Sequence, residues 1–472
     1  YQRRVRGNPQ MAKQLHGIHG IDQSAAIRID YDKCIGCQMC AKTCIDTQKI
    51  GSFIMAPIKQ PPYLNSISGK NFENTETTRV KMTDTNCIGC GQCVINCTAG
   101  AILPTSRVEE IKAAKESGKI LIAVVAPATR VGLSEMLGMP CGASCEAQLV
   151  EALKKAGFAY VFDNQWAADA CTIEDAKEVL KAKGKHPVFT SCCPAWINLV
   201  ETRYPDLIPL VSSAKSPTGM VCAAIKRFFS QQLNKQPADL FVVGLMPCTA
   251  KKLEAARPQL QFQDAPECDL SMTTRELAEF LQMQKFSVER EAELKQRNQG
   301  RFDEPFAQSS GAAYIFGRTG GVAESVVRYV ASQSKKMSVV TTKILWELPD
   351  KSQSIKLREF TADDVEYRAV VSHGGAAAEE LVKIYKAGML EVDCVEVMMC
   401  PQGCQNGGGQ PKLNKKSLIL ERVKGLNLHD YDSEIKHCMQ NEQMLDYIKK
   451  NMPTEHDIHE AFHTEYKDRK SK

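Results

Sequence analysis

From about residue 105 onward the chain alternates short apolar runs with longer stretches in which apolar residues recur every three or four positions. The runs ILIAVV at 120–125, AYVF at 159–162, PVFTS at 187–191, LFVVGL at 240–245, RAVVS at 368–372 and VEVMM at 395–399 have the length and composition of strands. Between them the spacing predicts helices at about 147–156, 172–182, 217–232, 274–284 and 376–388. Strands that alternate with helices imply an α/β fold of parallel sheets covered by helices.

Residues 1–30 read as a loosely structured polar lead-in, and a Cys-rich segment follows from Cys34 to Cys97, with a boundary near 105. The expected organisation is therefore 1–30, 31–105 and 106–472. Glu289 to Asp303 is strongly charged and reads as a solvated insertion or helix. The tail from about Ser433 reads as one amphipathic helix followed by a His-bearing, charged terminus to which no chemistry is assigned. The chain opens on Tyr1 without the apolar core of a signal peptide, and Met11 is a candidate internal start.

Composition narrows the picture. With 472 residues, 43% of them hydrophobic, the chain can bury more than one core. Lys and Arg number 60 against 55 Asp and Glu, with no basic run interleaved with aromatics, so nucleic acid is not an expected partner. No apolar stretch reaches the length of a membrane span. The chain has 20 cysteines, which cluster at ligand-like spacings, and this points to metal binding in a reducing compartment, the cytoplasm, rather than to disulfides.

Cys34, Cys37, Cys40 and Cys44 stand in CIGCQMCAKTC, and Cys87, Cys90, Cys93 and Cys97 repeat the spacing in CIGCGQCVINC. This is the run of two-cluster ferredoxins, in which the fourth Cys of each run ligates the other cluster. One 4Fe-4S cluster would take Cys34, Cys37, Cys40 and Cys97, the other Cys87, Cys90, Cys93 and Cys44, with Gly36 and Gly89 relieving backbone crowding. Two structural zinc sites are the alternative, but they require ligands in separated pairs. Neither fourth Cys is followed by the usual Pro, and a long loop over 45–86 separates the runs.

Three further motifs, TSCCPAW at 190–196, MPCTAKK at 246–252 and EVMMCPQGCQNGGGQP at 396–411, each begin where a predicted strand ends. Ligand sites form at such strand ends in open α/β sheets. Gly407 to Gly409 lack the Lys and Ser or Thr of a phosphate loop, and no dinucleotide fingerprint appears. In this order, after a two-cluster segment and together with VFDNQWAAD, SSAKSP and IFGRTGG, the motifs resemble the signatures of the iron-only (FeFe) hydrogenases from about Ile27 to the C-terminus.

The resemblance implies a two-lobed α/β catalytic domain behind an α+β ferredoxin-like domain, and an enzyme that reversibly reduces protons to hydrogen. It implies that Cys193, Cys248, Cys400 and Cys404 hold a third 4Fe-4S cluster, with Cys404 bridging to a di-iron unit carrying carbon monoxide, cyanide and an azadithiolate, the H-cluster. Cys192, the extra thiol, would exchange protons with that unit, and Lys251 would donate to a cyanide. Met246, Met398, Phe316, Pro127 and Ala128 would line the cofactor. A proton relay would run from Cys192 through Asp175 and Ser212 to Glu178; Asp175 and Glu178 are three apart and share a helix face. Implied partners are a ferredoxin or flavodoxin, protons and hydrogen, and maturation proteins that supply the di-iron unit.

The sequence departs from the family pattern at Asp175, where Glu is commonest, and at Ala182, Ala195, Thr218 and Gln402. Glu174 is a conceivable substitute for Asp175. Two rivals share the motifs: the hydrogenase-like iron-sulfur assembly proteins and the hydrogen sensors, both of which tend to lack the thiol that Cys192 supplies. The other seven cysteines, Cys141, Cys145, Cys171, Cys222, Cys268, Cys394 and Cys438, read mostly as buried apolar residues.

Overall fold

The computed structural model describes residues 18–56, 59–64, 80–284, 291–297, 299–413, 415 and 417–470. Met11, residues 65–79 of the loop between the cysteine runs and residues 289–290 of the charged segment lie outside the described residues. The strands are β1 (Ile21–Gln23), β2 (Ile27–Asp30), β3 (Phe53–Ile54), β4 (Tyr63–Leu64), β5 (Ile102–Pro104), β6 (Ile120–Val125), β7 (Tyr160–Asp163) and β8 (Val188–Phe189). They continue with β9 (Leu240–Met246), β10 (Gln261–Phe262), β11 (Ala265–Pro266), β12 (Leu270–Thr273), β13 (Thr341–Glu347), β14 (Ser354–Ala362), β15 (Val365–His373) and β16 (Cys394–Met398).

The first sheet, in the order β1-β2-β5, is antiparallel, with β3 and β4 as a separate ribbon. Its first two strands lie inside the segment expected to be a loose lead-in, so the lead-in reading is corrected from Ile21 onward. The reason is local: Ile27 and Ile29 are buried while Arg28 and Asp30 face outward, a two-residue period too short to stand out in a polar stretch.

The second sheet, β12-β9-β6-β7, is wholly parallel. Its central strand β9 is buried along its whole length, as expected where helices cover both faces. The third sheet, β13-β14-β15-β16-β8, is mixed: β8, β16 and β15 are parallel, while β14 and β13 join as an antiparallel meander. The periodicity reading missed β14 because its apolar residues alternate with Lys, Arg and Glu, and β13 because it is an edge strand exposed over most of its length.

The helix expected at 172–182 runs from Asn164 to Ala182. Asp163 caps it by accepting from the Gln165 N–H at 2.8 Å. Its first half is buried on every side, so no apolar stripe marks it in the sequence. The tail is not one helix but two, Glu442–Asn451 and Glu455–Phe462, because Pro453 follows the first and Thr454 caps the second, its hydroxyl accepting from the Asp457 N–H at 3.2 Å. Among the described residues no helix is long and apolar enough to cross a membrane.

The ferredoxin-like segment packs directly on the two larger sheets. The Gln48 amide donates to Met399 O at 2.8 Å, the Gln92 amide to Asn406 O at 2.9 Å, and the Thr249 hydroxyl to Gly89 O at 2.6 Å. These bonds fasten the segment just after the first cysteine run, and the second run itself, to the loops that follow β9 and β16.

Candidate active site

The N-terminal thiols gather in two groups that cross between the runs. Cys40 lies beside Cys97, Cys34 and Cys37; burial first, then these neighbours, pushes its thiol up. Cys87 is pushed up to about 12 by burial, Cys90 and Cys44, and Cys93 well upward by burial, Cys90, Cys87 and Cys44. The fourth cysteine of each run therefore stands with the first three of the other. Gly36 and Gly89 sit at φ +64° and +72°, and a Cβ on Gly36 would fall 2.3 Å from the Lys59 carbonyl carbon.

A third group forms where three strands of the two larger sheets end. Cys193 follows β8 and immediately precedes the helix Pro194–Arg203; Cys248 follows β9; Cys400 follows β16, and Cys404 opens the next turn. Cys400 is raised by burial, then by Cys248, Cys193, Cys404 and Cys90. The Cys90 contribution places the second N-terminal group next to this one, whereas Cys37 of the first group is exposed.

The donors are four thiols with no imidazole or carboxylate among them, a soft set that suits an iron-sulfur cube. Among the described residues no three His, Cys, Asp or Glu side chains close on one point as a single ion would require; a cube needs its ligands around a volume. On the same loop the buried Gln405 Oε1 has no hydrogen-bond partner among the described residues, which leaves a polar atom free for a bound group. The donor set and the loop fit the cluster.

Around the thiols, Met246, Met398 and Phe316 are buried in one apolar cluster, against which Cys192 packs. Pro127 and Ala128 open the helix Pro127–Met136 at the end of β6, and Ala128 O accepts from the Gln410 amide at 2.7 Å. Lys251 Nζ donates to Ser216 Oγ at 2.6 Å and to both Glu254 oxygens at 2.9 Å, and its charge acts on Cys248.

The expected relay residues are also brought together. The Ser212 hydroxyl donates to Asp175 Oδ1 at 2.7 Å, and Glu178, which burial would raise, is instead lowered by the bonds of His463 and Ser213, with Ser212 adding to them. Burial, opposed by the Ser212 bond and reinforced by the Glu178 charge, pushes Asp175 up to about 7. Cys192 lies within electrostatic reach of Asp175 and of Cys193 and Cys404. Glu178 accepts directly from Ser213, at 2.5 Å from Oγ and 3.2 Å from N, so Ser213 stands with these residues although sequence reasoning did not name it. Glu174 bonds outward to Lys177 and His463 rather than to Ser212, and no contact gives it the place of Asp175.

With this geometry in view, the model for the iron-only hydrogenase large subunit, C-terminal domain, matches residues 119–408, more than half of the chain. The chain belongs to the iron-only hydrogenase family. A 4Fe-4S dicluster domain model matches residues 33–101. Among its relatives, the NADP-reducing hydrogenase subunit HndD of Solidesulfovibrio fructosivorans is 33% identical over 94% of this chain and 75% of its own length. Cytosolic iron-sulfur assembly component 3 of Bos taurus is 30% identical over 74% of this chain and 76% of its own. A solved variant of the FeFe-hydrogenase HydA1 from Chlamydomonas reinhardtii superposes with a TM-score of 0.63 at 30% identity, covering 77% of this chain and 99% of that one.

In this hydrogenase-family chain one feature near the cube loop escaped the sequence reading. His373, at the end of β15, is buried and accepts from the Gln402 N–H at 3.1 Å; burial lowers its pKa to about 4, so the ring is neutral and serves as an acceptor. It helps hold Gln402 at φ +68°, a left-handed conformation that explains why Gly suits this position better. No motif surrounds His373, so only the fold reveals it.

Gly408 marks the contact between the second and third thiol groups: a Cβ there would lie 2.5 Å from Gly91 Cα and 2.6 Å from Cys90 O. Gly408→Ala is expected to cost about 1–3 kcal/mol through overpacking. Thermal unfolding of the variant measures that loss, and an unchanged midpoint would mean that the two loops yield.

Proposed function

We propose that this chain reversibly reduces protons to molecular hydrogen with electrons from a ferredoxin or flavodoxin. One observation carries the reading: the Cys192 thiol lies within electrostatic reach of both the four-thiol site and buried Asp175, from which Ser212 and half-buried Glu178 lead toward the surface. A structural iron-sulfur site has no need of such a line.

In this reading Cys34, Cys37, Cys40 and Cys97 hold the outer cluster and Cys87, Cys90, Cys93 and Cys44 the next. Cys193, Cys248, Cys400 and Cys404 would hold the innermost, and a di-iron unit delivered by maturation proteins would sit beside Cys404. When bound, that unit supplies the centre at which electrons and protons are combined or separated. Exposed Cys37 marks the end where electrons enter from the carrier.

The chain's own groups do the rest. Cys192 passes one proton at a time between the pocket and Asp175, whose carboxyl, raised by burial to about 7, can both take and give a proton near neutral pH. Ser212 relays the proton to Glu178. Lys251, held by Ser216 and Glu254, would offer its positive charge to the bound unit, and Met246, Met398 and Phe316, with Pro127 and Ala128 at the end of β6, would keep water from it.

The test is hydrogen evolution driven by reduced methyl viologen on anaerobic, matured protein, beside an infrared spectrum. Hydrogen together with carbon monoxide and cyanide bands is the expected result. Bands without turnover would indicate a sensor, and the absence of both would favour the iron-sulfur assembly role.

A further inference from the structure

The carboxy-terminal strap crosses the relay and leaves an imidazole at its outer end. Backbone bonds fasten it: Lys215 N to Phe462 O at 2.6 Å and Thr464 N to Ser213 O at 2.8 Å, with His463 bridged to Ala214. Ser212 and Ser213 therefore lie directly under the strap. His463 Nδ1 is 2.8 Å from Ser213 Oγ and 3.6 Å from Glu178 Oε1, and its Nε2 is 3.2 Å from Glu174 Oε2. Its side chain is 10% exposed, whereas the ring of His459, stacked on it at 5.1 Å, belongs to an exposed residue.

We propose that His463 is the outermost station of the proton line, exchanging protons between solvent and Glu178 through the Ser213 hydroxyl. The inference rests on the relay reading above and extends it by one titratable group and one hydroxyl.

The step balances. An imidazolium Nδ1–H passes its proton to Ser213 Oγ as the Ser213 O–H passes its own to Glu178 Oε1, leaving a neutral imidazole, an intact hydroxyl and a carboxylic acid. The hydroxyl is already in line, 2.5 Å from Glu178 and 2.8 Å from the ring. Solvent or buffer then reprotonates the ring.

The groups facing His463 set its charge. Glu174 and Glu178 come from the helix Asn164–Ala182; Lys177 of that helix bonds Glu174 at 3.0 Å and reaches Glu455 of the strap at 3.7 Å; Asp175 acts from further in. Burial disfavours the imidazolium, but the bonds and charges of Glu174 and Glu178 outweigh it and hold the ring's pKa at about 9. Below that pH the station is loaded, and as pH rises through about 9 it empties, so the supply of protons falls on the alkaline side.

The test uses matured full-length protein carrying His463→Ala or His463→Gln, with hydrogen evolution followed from pH 6 to 10, with and without added imidazole. Both variants are expected to lose about tenfold or more, with His463→Ala recovering in imidazole, neither showing the alkaline limb near pH 9, and both keeping the cofactor's infrared bands. Wild-type rates in both variants would overturn the inference. So would a loss in His463→Ala that imidazole does not repair while His463→Gln stays fully active, because a hydrogen-bonding role would explain that pattern. Asp175→Asn, measured in parallel, separates this inference from its foundation. An inactive Asp175→Asn beside an indifferent His463→Ala overturns the outer station alone. An active Asp175→Asn beside an imidazole-repaired His463→Ala keeps the station and overturns the inner relay.

Discussion

Replacing Cys192 with alanine is expected to leave the iron content and infrared bands of matured protein unchanged while lowering hydrogen evolution by about 10²- to 10⁴-fold, the range over which a positioned acid or base acts. In the proposed reading the thiol would not be needed to complete the cube, since the grouped thiols of Cys193, Cys248, Cys400 and Cys404 would make a full set without it. Alanine removes the sulfur from a partly buried position against Met246, Met398 and Phe316, which that apolar cluster tolerates at modest cost. What it cannot replace is a thiol that lies near both Asp175 and the cysteines of the third group; Cys171, which bonds Asp175 Oδ2 at 3.6 Å, stays in place in the variant. Iron analysis, infrared spectroscopy and gas chromatography on one preparation decide the matter. Wild-type turnover would remove Cys192 from the proton path, and lost iron would make it a structural support instead.

The second large effect lies at Asp175. Asparagine keeps the shape and can still accept from the Ser212 hydroxyl, but it cannot carry a proton, and hydrogen evolution is expected to fall by a similar about 10²- to 10⁴-fold. Stability should move the other way. Burial raises this carboxyl from 3.8 to about 7, so the folded protein binds the proton more tightly than the unfolded chain does. Its contribution is fully present below pH 3.8 and is lost as pH rises through about 7, above which the buried carboxylate is a burden. Asp175→Asn removes that burden, and its thermal midpoint relative to the unmodified protein should be higher at pH 8 than at pH 5. A variant that is inactive and also destabilised at pH 8 would mean that the carboxylate organises the pocket instead. Glutamate should preserve or raise activity, since it restores the proton carrier with a longer reach.

Cytosolic iron-sulfur assembly component 3 of Bos taurus is about as similar in identity as the solved hydrogenase variant, so overall resemblance does not separate the two readings. The separation rests on a single thiol and the line behind it, which makes the two substitutions above more informative than any further comparison of whole chains.

The spacing of cysteines carries its own geometry, and so the sequence by itself determined the two runs of four, the three later motifs and their placement after strands. Short ligand loops and apolar strands are local features, and each is legible within about ten residues. Asp175 and Glu178 were legible for the same reason, being one turn apart on a helix. Ser213, His373 and His463 were not. Ser213 bonds Glu178 from 35 residues away, His373 holds Gln402 from 29, and His463 reaches Ser213 across 250. A histidine in a charged tail has no periodicity and no motif to distinguish it from a solvated one. Only the crossing of the strap over Ala214, fixed by backbone hydrogen bonds between distant segments, places its ring between two carboxylates and gives it a raised pKa. Likewise, the antiparallel strands β13 and β14 and the early strands β1 and β2 depend on partners elsewhere, because a strand with one wet face takes its stability from the neighbour it pairs with rather than from its own sequence.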